Sequence, residues 1–257
     1  MFSLKQSMSG IIMMAALLVL SSSANAQTIP KGVKNIVFVH GAFADGSSWA
    51  KVLPILKAKG YNVSAVQNPL TSVEDDVAAT KRAIASMDGP VLLVGHSYGG
   101  MVVTAAGNDP KVVGLLYVAA LVPNEGQSAV DVTGAFPPGP GTAEFRPDAA
   151  GFLSLSYKGI HDHFAQDLKP GERDILFATQ GPWAVKATTD KVQKVAWKYK
   201  PSWFIVGLDD HLVIPDLARA EVKMINAKAI ELKTSHVPML SQPGKVAAFI
   251  ISAAQSL

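Results

Sequence analysis

The stretch "VLLVGHSYGG" (Val91–Gly100) decides the fold. Four consecutive aliphatic residues suit a strand covered on both faces, because side chains pointing either way then meet an apolar layer. A serine follows, with a glycine two residues before it and two after. Residues Tyr98–Asn108 carry apolar side chains at helical spacing, so the chain must turn from strand to helix at Ser97. Such a corner forces residue 97 into a strained backbone conformation and crowds positions 95 and 99 until a Cβ on either would clash. Gly95 and Gly99 relieve that crowding. The corner thrusts the Ser97 side chain above the sheet edge, beside a helix N-terminus whose free N–H groups suit a developing oxyanion. The pattern predicts Ser97 as a nucleophile.

Working outward, further apolar runs alternate with helical patterns. Lys34–His40, Tyr61–Gln67, Pro90–Gly95, Val112–Ala119, Ser202–Gly207 and Ala227–Leu232 read as strands. Ser48–Lys59, Val73–Met87, Tyr98–Asn108, Pro215–Asn226 and Gly244–Ala254 read as helices, with Pro215 and Pro243 where helix starts tolerate proline. This alternation predicts an α/β fold, a mostly parallel sheet with helices on both faces. Pro123–Lys200 breaks the rhythm: it opens with the proline- and glycine-rich "GAFPPGPG" (Gly134–Gly141) and continues with aromatic-bearing helical stretches. An insertion of that length between central strands predicts a small helical lid over about residues 123–200.

The chain of 257 residues opens like a secretory signal. Lys5 supplies a positive start, Gly10–Leu20 an apolar run too short to span a bilayer, and Ala24-Asn25-Ala26 a small-x-small cleavage site. Met1–Ala26 is therefore expected to be a leader, leaving residues 27–257 as one exported domain, periplasmic or secreted, without stable membrane insertion. With Lys5 removed, 22 basic residues face 20 acidic ones. No basic run interleaves with aromatics, so nucleic acid is not an expected partner. The absence of cysteine excludes a disulfide scaffold, a thiolate nucleophile and a cysteine-based metal site.

On "GHSYGG" (Gly95–Gly100) and "VFVHGAFADGSSW" (Val37–Trp49), the chain resembles the α/β-hydrolase family across essentially all of residues 31–257. Its closest likeness is to small cap-bearing serine esterases, the group of methylesterases and hydroxynitrile lyases. The first motif looks like the family's nucleophile elbow and the second like its oxyanion loop. The resemblance implies that the backbone N–H groups of Ala42 and Tyr98 form the oxyanion hole, and that an acid and then a histidine follow the serine along the chain. Asp210, after the strand Ser202–Gly207, and His236, after the last strand, fit that order. Both fall at C-terminal strand ends, on the sheet edge that carries Ser97. Asp210 matches the family position better than Asp209, and Glu125 is the outside alternative.

The remaining histidines receive structural readings. His40 is expected to hydrogen-bond within the oxyanion loop, His96 to point sideways from the elbow, and His211 to lie at the surface or a gate. His161 and His163 are expected on a solvated lid helix, with no metal. Phe43, Tyr98, Met239, Phe136 and Trp183 are the candidates to line an apolar substrate pocket. Val237 and Gly41 stand where the similar lyases keep a lysine and a threonine, which argues against cyanohydrin cleavage. The expected activity is therefore cofactor-free hydrolysis of a small to medium, largely apolar ester through an acyl-enzyme. The alternatives are peroxidase-like or carbon–carbon-bond hydrolysis with the same triad, and a non-catalytic ligand-binding module on this scaffold.

Overall fold

The computed structural model describes residues 31–257. The expected leader, Met1–Ala26, lies outside the described residues. Along the chain come β1 (Asn35–Val39), α1 (Leu53–Ala58), β2 (Asn62–Ala65), α2 (Val73–Ala85), β3 (Val91–His96), α3 (Gly99–Ala106) and β4 (Val112–Val118). An excursion follows, holding α4 (Ala129–Thr133), β5 (Phe145–Pro147), β6 (Phe152–Leu155), α5 (Tyr157–Gly159), α6 (Pro170–Thr179), β7 (Trp183–Ala184) and α7 (Val185–Thr189). The chain then returns through β8 (Ser202–Gly207), α8 (Pro215–Met224), β9 (Lys228–Leu232), α9 (Pro238–Ser241) and α10 (Pro243–Gln255).

The main sheet has the order β2-β1-β3-β4-β8-β9, and every pairing in it is parallel. Its inner strands carry the continuous aliphatic runs because both faces are covered. Every residue of β1, β3 and β8 is buried. The edge strand β2 is more exposed and correspondingly more polar. Each parallel pairing requires a crossover, and the helices between the strands supply it. The strand order reverses between β1 and β3, so the C-terminal ends of β1 and β3 open a crevice there.

Two elements differ from the sequence-based expectation. The segment read as one helix from Ser48 is a short 3-10 turn, Gly46–Trp49, capped by the Asp45 side chain, followed by α1. Pro54 sits at the start of α1, where its missing N–H costs no helical bond. The excursion is not purely helical: β5, β6 and β7 form a small antiparallel sheet. Its strands span two to four residues, too few to set up an alternating pattern. Among the described residues, no helix is long and apolar enough to cross a membrane.

Candidate active site

The strand-to-helix corner has the strain that its sequence requires. Ser97 has φ +52, a left-handed conformation that non-glycine residues rarely adopt. A Cβ on Gly95 would lie 2.7 Å from the Gly99 carbonyl oxygen, and one on Gly99 would lie 2.7 Å from that of Val39. The second glycine thus lets the corner press against the end of β1. The corner is fixed by the Ser97 carbonyl, which accepts from Gly100 N–H (2.8 Å) and Leu121 N–H (3.1 Å).

Above that corner, Ser97 Oγ lies 2.8 Å from His236 Nε2. On the other side of the ring, His236 Nδ1 lies 2.7 Å from Asp210 Oδ2. Asp210 Oδ1 accepts from the backbone N–H groups of Leu212 (2.8 Å) and Val213 (3.0 Å). A carboxylate can only accept, so Nδ1 carries the ring proton and Nε2 presents its lone pair to the serine hydroxyl. Asp210 and His236 are buried, and Ser97 is 9% exposed. Residues 97, 210 and 236 come from three separate strand ends and converge on one edge.

The alternative acids lie elsewhere. Asp209 is exposed and its backbone N–H donates to the Thr234 carbonyl (3.0 Å). Glu125 is exposed and pairs with Lys198 at 2.8 Å. His96 is fully buried and its Nε2 donates to the His236 carbonyl (2.8 Å), supporting the backbone of the residue at the centre of the site. Burial pushes the His96 pKa well down, with the neighbouring His236 adding to the effect, so it remains neutral.

The loop after β1 is held in the same manner. His40 Nε2 accepts from Asn68 N–H (2.9 Å), Nδ1 donates to the Gly41 carbonyl (2.8 Å), and Asn68 Nδ2 donates to the His40 carbonyl (3.0 Å). Burial lowers the His40 pKa, which suits a neutral ring that donates on one side and accepts on the other. Among the described residues, no backbone acceptor engages the N–H groups of Ala42 and Tyr98.

A cavity of about 530 Å³ opens over Ser97. Phe43, Tyr98, Phe136 and Trp183 are among the residues that line it. Phe145, Leu153, Thr133, Thr142 and Thr188 add to the wall from the excursion, and among the described residues no charged side chain lines the cavity. Phe43 packs against Phe145 and Trp183, with ring centroids 5.2 and 5.9 Å away. Met239 is a correction: it is fully buried and does not line the cavity. The short α9 packs against α10 and the 46–49 turn, which directs its apolar side chains into the core.

The lid histidines also differ from expectation. His161 stacks on Tyr157 with ring centroids 3.9 Å apart, and its Nε2 lies 3.1 Å from Asp174. His163 Nδ1 meets His211 Nδ1 at 3.0 Å, joining the excursion to the loop that carries Asp210. They occupy a wide π-helical turn, Ile160–Phe164, packed on the body rather than a solvated helix. Among the described residues, no group of three or more potential ligands is arranged to hold a metal ion.

A strand-to-helix corner with a hydroxyl at its tip, on a parallel sheet of this order, defines a class of hydrolase fold, and comparison with known proteins agrees. Residues 36–249 match the model of the alpha/beta hydrolase family, and the chain belongs to that family. It groups with hydrolases of carboxylesterase type. A pyrethroid hydrolase of Sphingobium wenxiniae is 25% identical over 247 residues, covering 84% of this chain and 85% of that protein. Salicylic acid-binding protein 2 of Nicotiana tabacum is 32% identical over 106 residues, 35% of this chain and 41% of the relative. The structure of polyneuridine aldehyde esterase matches with a TM-score of 0.73 at 20% identity, covering 86% of this chain and 99% of that one. At that identity the structural match speaks for the fold alone.

Proposed function

We propose that this protein is a serine carboxylesterase in which Ser97, His236 and Asp210 act as a catalytic triad on neutral, largely apolar esters of small to medium size. The observation that carries the reading is the unbroken contact from Ser97 Oγ through both nitrogens of His236 to Asp210. His236 Nε2 takes the Oγ proton as Ser97 attacks the ester carbonyl carbon. The backbone N–H groups of Ala42 and Tyr98 receive the tetrahedral oxyanion. His236 then gives its proton to the departing alcohol oxygen, leaving an acyl-serine. Water enters, gives a proton to Nε2 and attacks the acyl carbon; the proton returns to Oγ as the acid leaves. Asp210 stays ionised throughout and holds the imidazole tautomer.

The substrate class follows from the cavity. Its wall is largely aromatic and aliphatic, with a few hydroxyls, and among the described residues it carries no counter-charge for an ionised substrate, whose desolvation would go uncompensated. The charged acid product is disfavoured there for the same reason, which promotes its release. Residues 123–200 serve as the lid over this cavity. The opening residues, read as a leader, support export to the periplasm or beyond. Phe43, Tyr98, Phe136 and Trp183 are the proposed substrate-contacting side chains.

Titration with a serine-reactive phosphonate, followed by mass spectrometry of the labelled peptide, tests the nucleophile. Labelling at Ser97, together with turnover of a nitrophenyl ester panel, is expected. A protein that turns over none of these esters and leaves Ser97 unlabelled is a binding module, and the proposal fails.

A further inference from the structure

Behind the cavity wall lies a carboxyl group that the acyl-transfer mechanism does not use. Asp76, on α2, has no exposed surface. Its Oδ2 accepts from the Tyr98 hydroxyl at 2.7 Å, and its Oδ1 accepts from the Leu70 backbone N–H at 2.8 Å. Each partner leads to the site. Tyr98 follows the nucleophile in the chain, and its ring packs 5.0 Å from that of Trp183 across the cavity wall. Leu70 is held at φ +59, an unfavourable conformation for a branched side chain, and its carbonyl accepts from the Ala184 N–H (2.9 Å) of β7. One carboxylate therefore joins the elbow side of the cavity to the lid side.

We propose that Asp76 is a positioning residue: it fixes the Tyr98 ring beside Ser97 and, through Leu70, the lid strand carrying Trp183, and so sets the selectivity of the cavity for bulky substrates. The proposal rests on the esterase reading of that site.

Ionisation decides how well the clamp works. A carboxylate accepts at both oxygens, which is what Tyr98 O–H and Leu70 N–H require. A proton on Asp76 has only one place to go. Leu70 N–H can only donate, so the proton sits on Oδ2 and the Tyr98 hydroxyl must turn round to accept it. The turned hydroxyl then needs an acceptor of its own, and the Trp183 indole beside it can only donate. The Trp183 indole N–H approaches the phenolic oxygen without reaching hydrogen-bond geometry. Burial raises the Asp76 pKa to about 6, against the lowering effect of its two hydrogen bonds. The surrounding charges are Asp75 on the same helix and Asp190 after α7, both of which raise it further. Asp75 is itself bonded to the Thr71 and Ser72 hydroxyls. Asp190 accepts from Val73 N–H and pairs with Lys186 on α7.

The test compares kcat/KM, per phosphonate-titrated site, for a nitrophenyl acetate and a bulky aromatic-acyl nitrophenyl ester. Both esters are attacked by the same serine, so any pH effect on the attack itself is common to both rates and cancels in their ratio. The wild-type ratio of bulky to acetate ester is expected to fall as pH drops through about 6. Asp76→Asn keeps an acceptor for Leu70 N–H and offers a donor to the Tyr98 oxygen. Because that is the bonding pattern of the protonated acid, the variant is expected to hold the ratio at the low value that wild type reaches on the acid side, at every pH, and to show no further acid decline. Asp76→Ala is expected to lower the ratio about tenfold at all pH values, because misplacing a wall costs bulky substrates most. Should Asp76→Ala fail to fold, Tyr98→Phe, which removes one partner and keeps the ring, is expected to lower the ratio in its place. Equal loss on both esters, or an Asn variant whose ratio titrates like wild type, overturns the proposal.

Tryptophan emission provides a readout without turnover. A step near pH 6 in wild type that is missing from Asp76→Asn is expected. If no ester is turned over and Ser97 stays unlabelled, but the step behaves as stated, the esterase reading fails and the clamp stands. A step common to both proteins sinks the clamp alone.

Discussion

The sheet edge and the excursion that roofs it are built on opposite principles. At the edge, polar groups are buried and tied to fixed partners: Asp210 accepts two backbone N–H groups and the His236 ring, and His96 braces the backbone of His236. In the roof, α6 buries none of its residues fully, and Tyr157, Ile175 and Phe177 lie exposed. What the roof contributes to the cavity is mainly apolar surface, from Phe136, Phe145, Leu153 and Trp183 among others. Fixed dipoles are what a charged transition state needs, whereas apolar walls recognise size and shape. The two regions should therefore fail differently when altered, the edge in turnover and the roof in selectivity.

The largest effect expected is at the edge. Ser97→Ala removes the attacking atom of the proposed triad, and because the members of such a triad act as a unit, turnover should fall by about 10⁴- to 10⁶-fold. The folded state loses a hydroxyl and keeps its packing, so the melting temperature should stay near wild type, as paired ester assays and thermal melts can establish. Asp210→Asn comes next, with a fall of about 10⁴-fold, because an amide in place of the carboxylate no longer enforces the tautomer that leaves Nε2 free. Asp209→Asn, one residue away but exposed, should leave kcat within about twofold. Equal losses at 209 and 210 would remove the acid assignment. In the roof, Phe136→Ala should raise KM for bulky apolar esters by about 10- to 100-fold and leave acetate esters nearly unchanged. A loss of kcat on every substrate would instead make the roof part of the chemistry and dissolve the distinction.

The two regions were also unequally legible. The four inner strands could be read from their aliphatic runs because a parallel sheet covered on both faces imposes local composition, whereas the more polar edge strands β2 and β9 were read from their place in the strand–helix alternation. Ser97 could be read because the corner demands glycines at fixed offsets. Asp210 and His236 required the resemblance as well as their strand-end positions, since nothing local distinguishes Asp210 from Asp209. The roof strands Phe145–Pro147, Phe152–Leu155 and Trp183–Ala184 were not legible, because they form through pairing across long separations. Met239 was misplaced for a related reason: proximity to His236 in sequence says nothing about which way a four-residue helix turns its side chains. Asp76 was missed although a faint signal exists, an acid followed by Ala79 and Thr80 on the buried face of α2.

Glu221 tests the seam between the two regions, and its effect should be the smallest. It lies on α8 at the helical spacing of Leu217, on the buried face, where an acid is out of place. Its Oε1 accepts from Val122 N–H at 2.6 Å, just where the chain leaves β4 for the roof. Among the described residues, Oε2 has no partner. Burial raises its pKa well above the usual glutamate value, and the single hydrogen bond from Val122 only partly opposes this. A native carboxyl with a raised pKa holds its proton where the unfolded chain has released it. Its contribution to stability is thus complete below the unfolded pKa and declines as pH rises toward and through the folded one. Glu221→Gln keeps the acceptor for Val122 and cannot titrate. Its melting temperature should match wild type near pH 4 and gain on it progressively toward pH 9, at about 2–4 °C for each kcal/mol. Its selectivity between bulky and acetate esters at pH 7 should stay within about twofold, because the neutral acid and the amide hold Val122 alike. If the melting curves of the two proteins run parallel with pH, Glu221 is already solvated in the native state and the seam is looser than its burial implies.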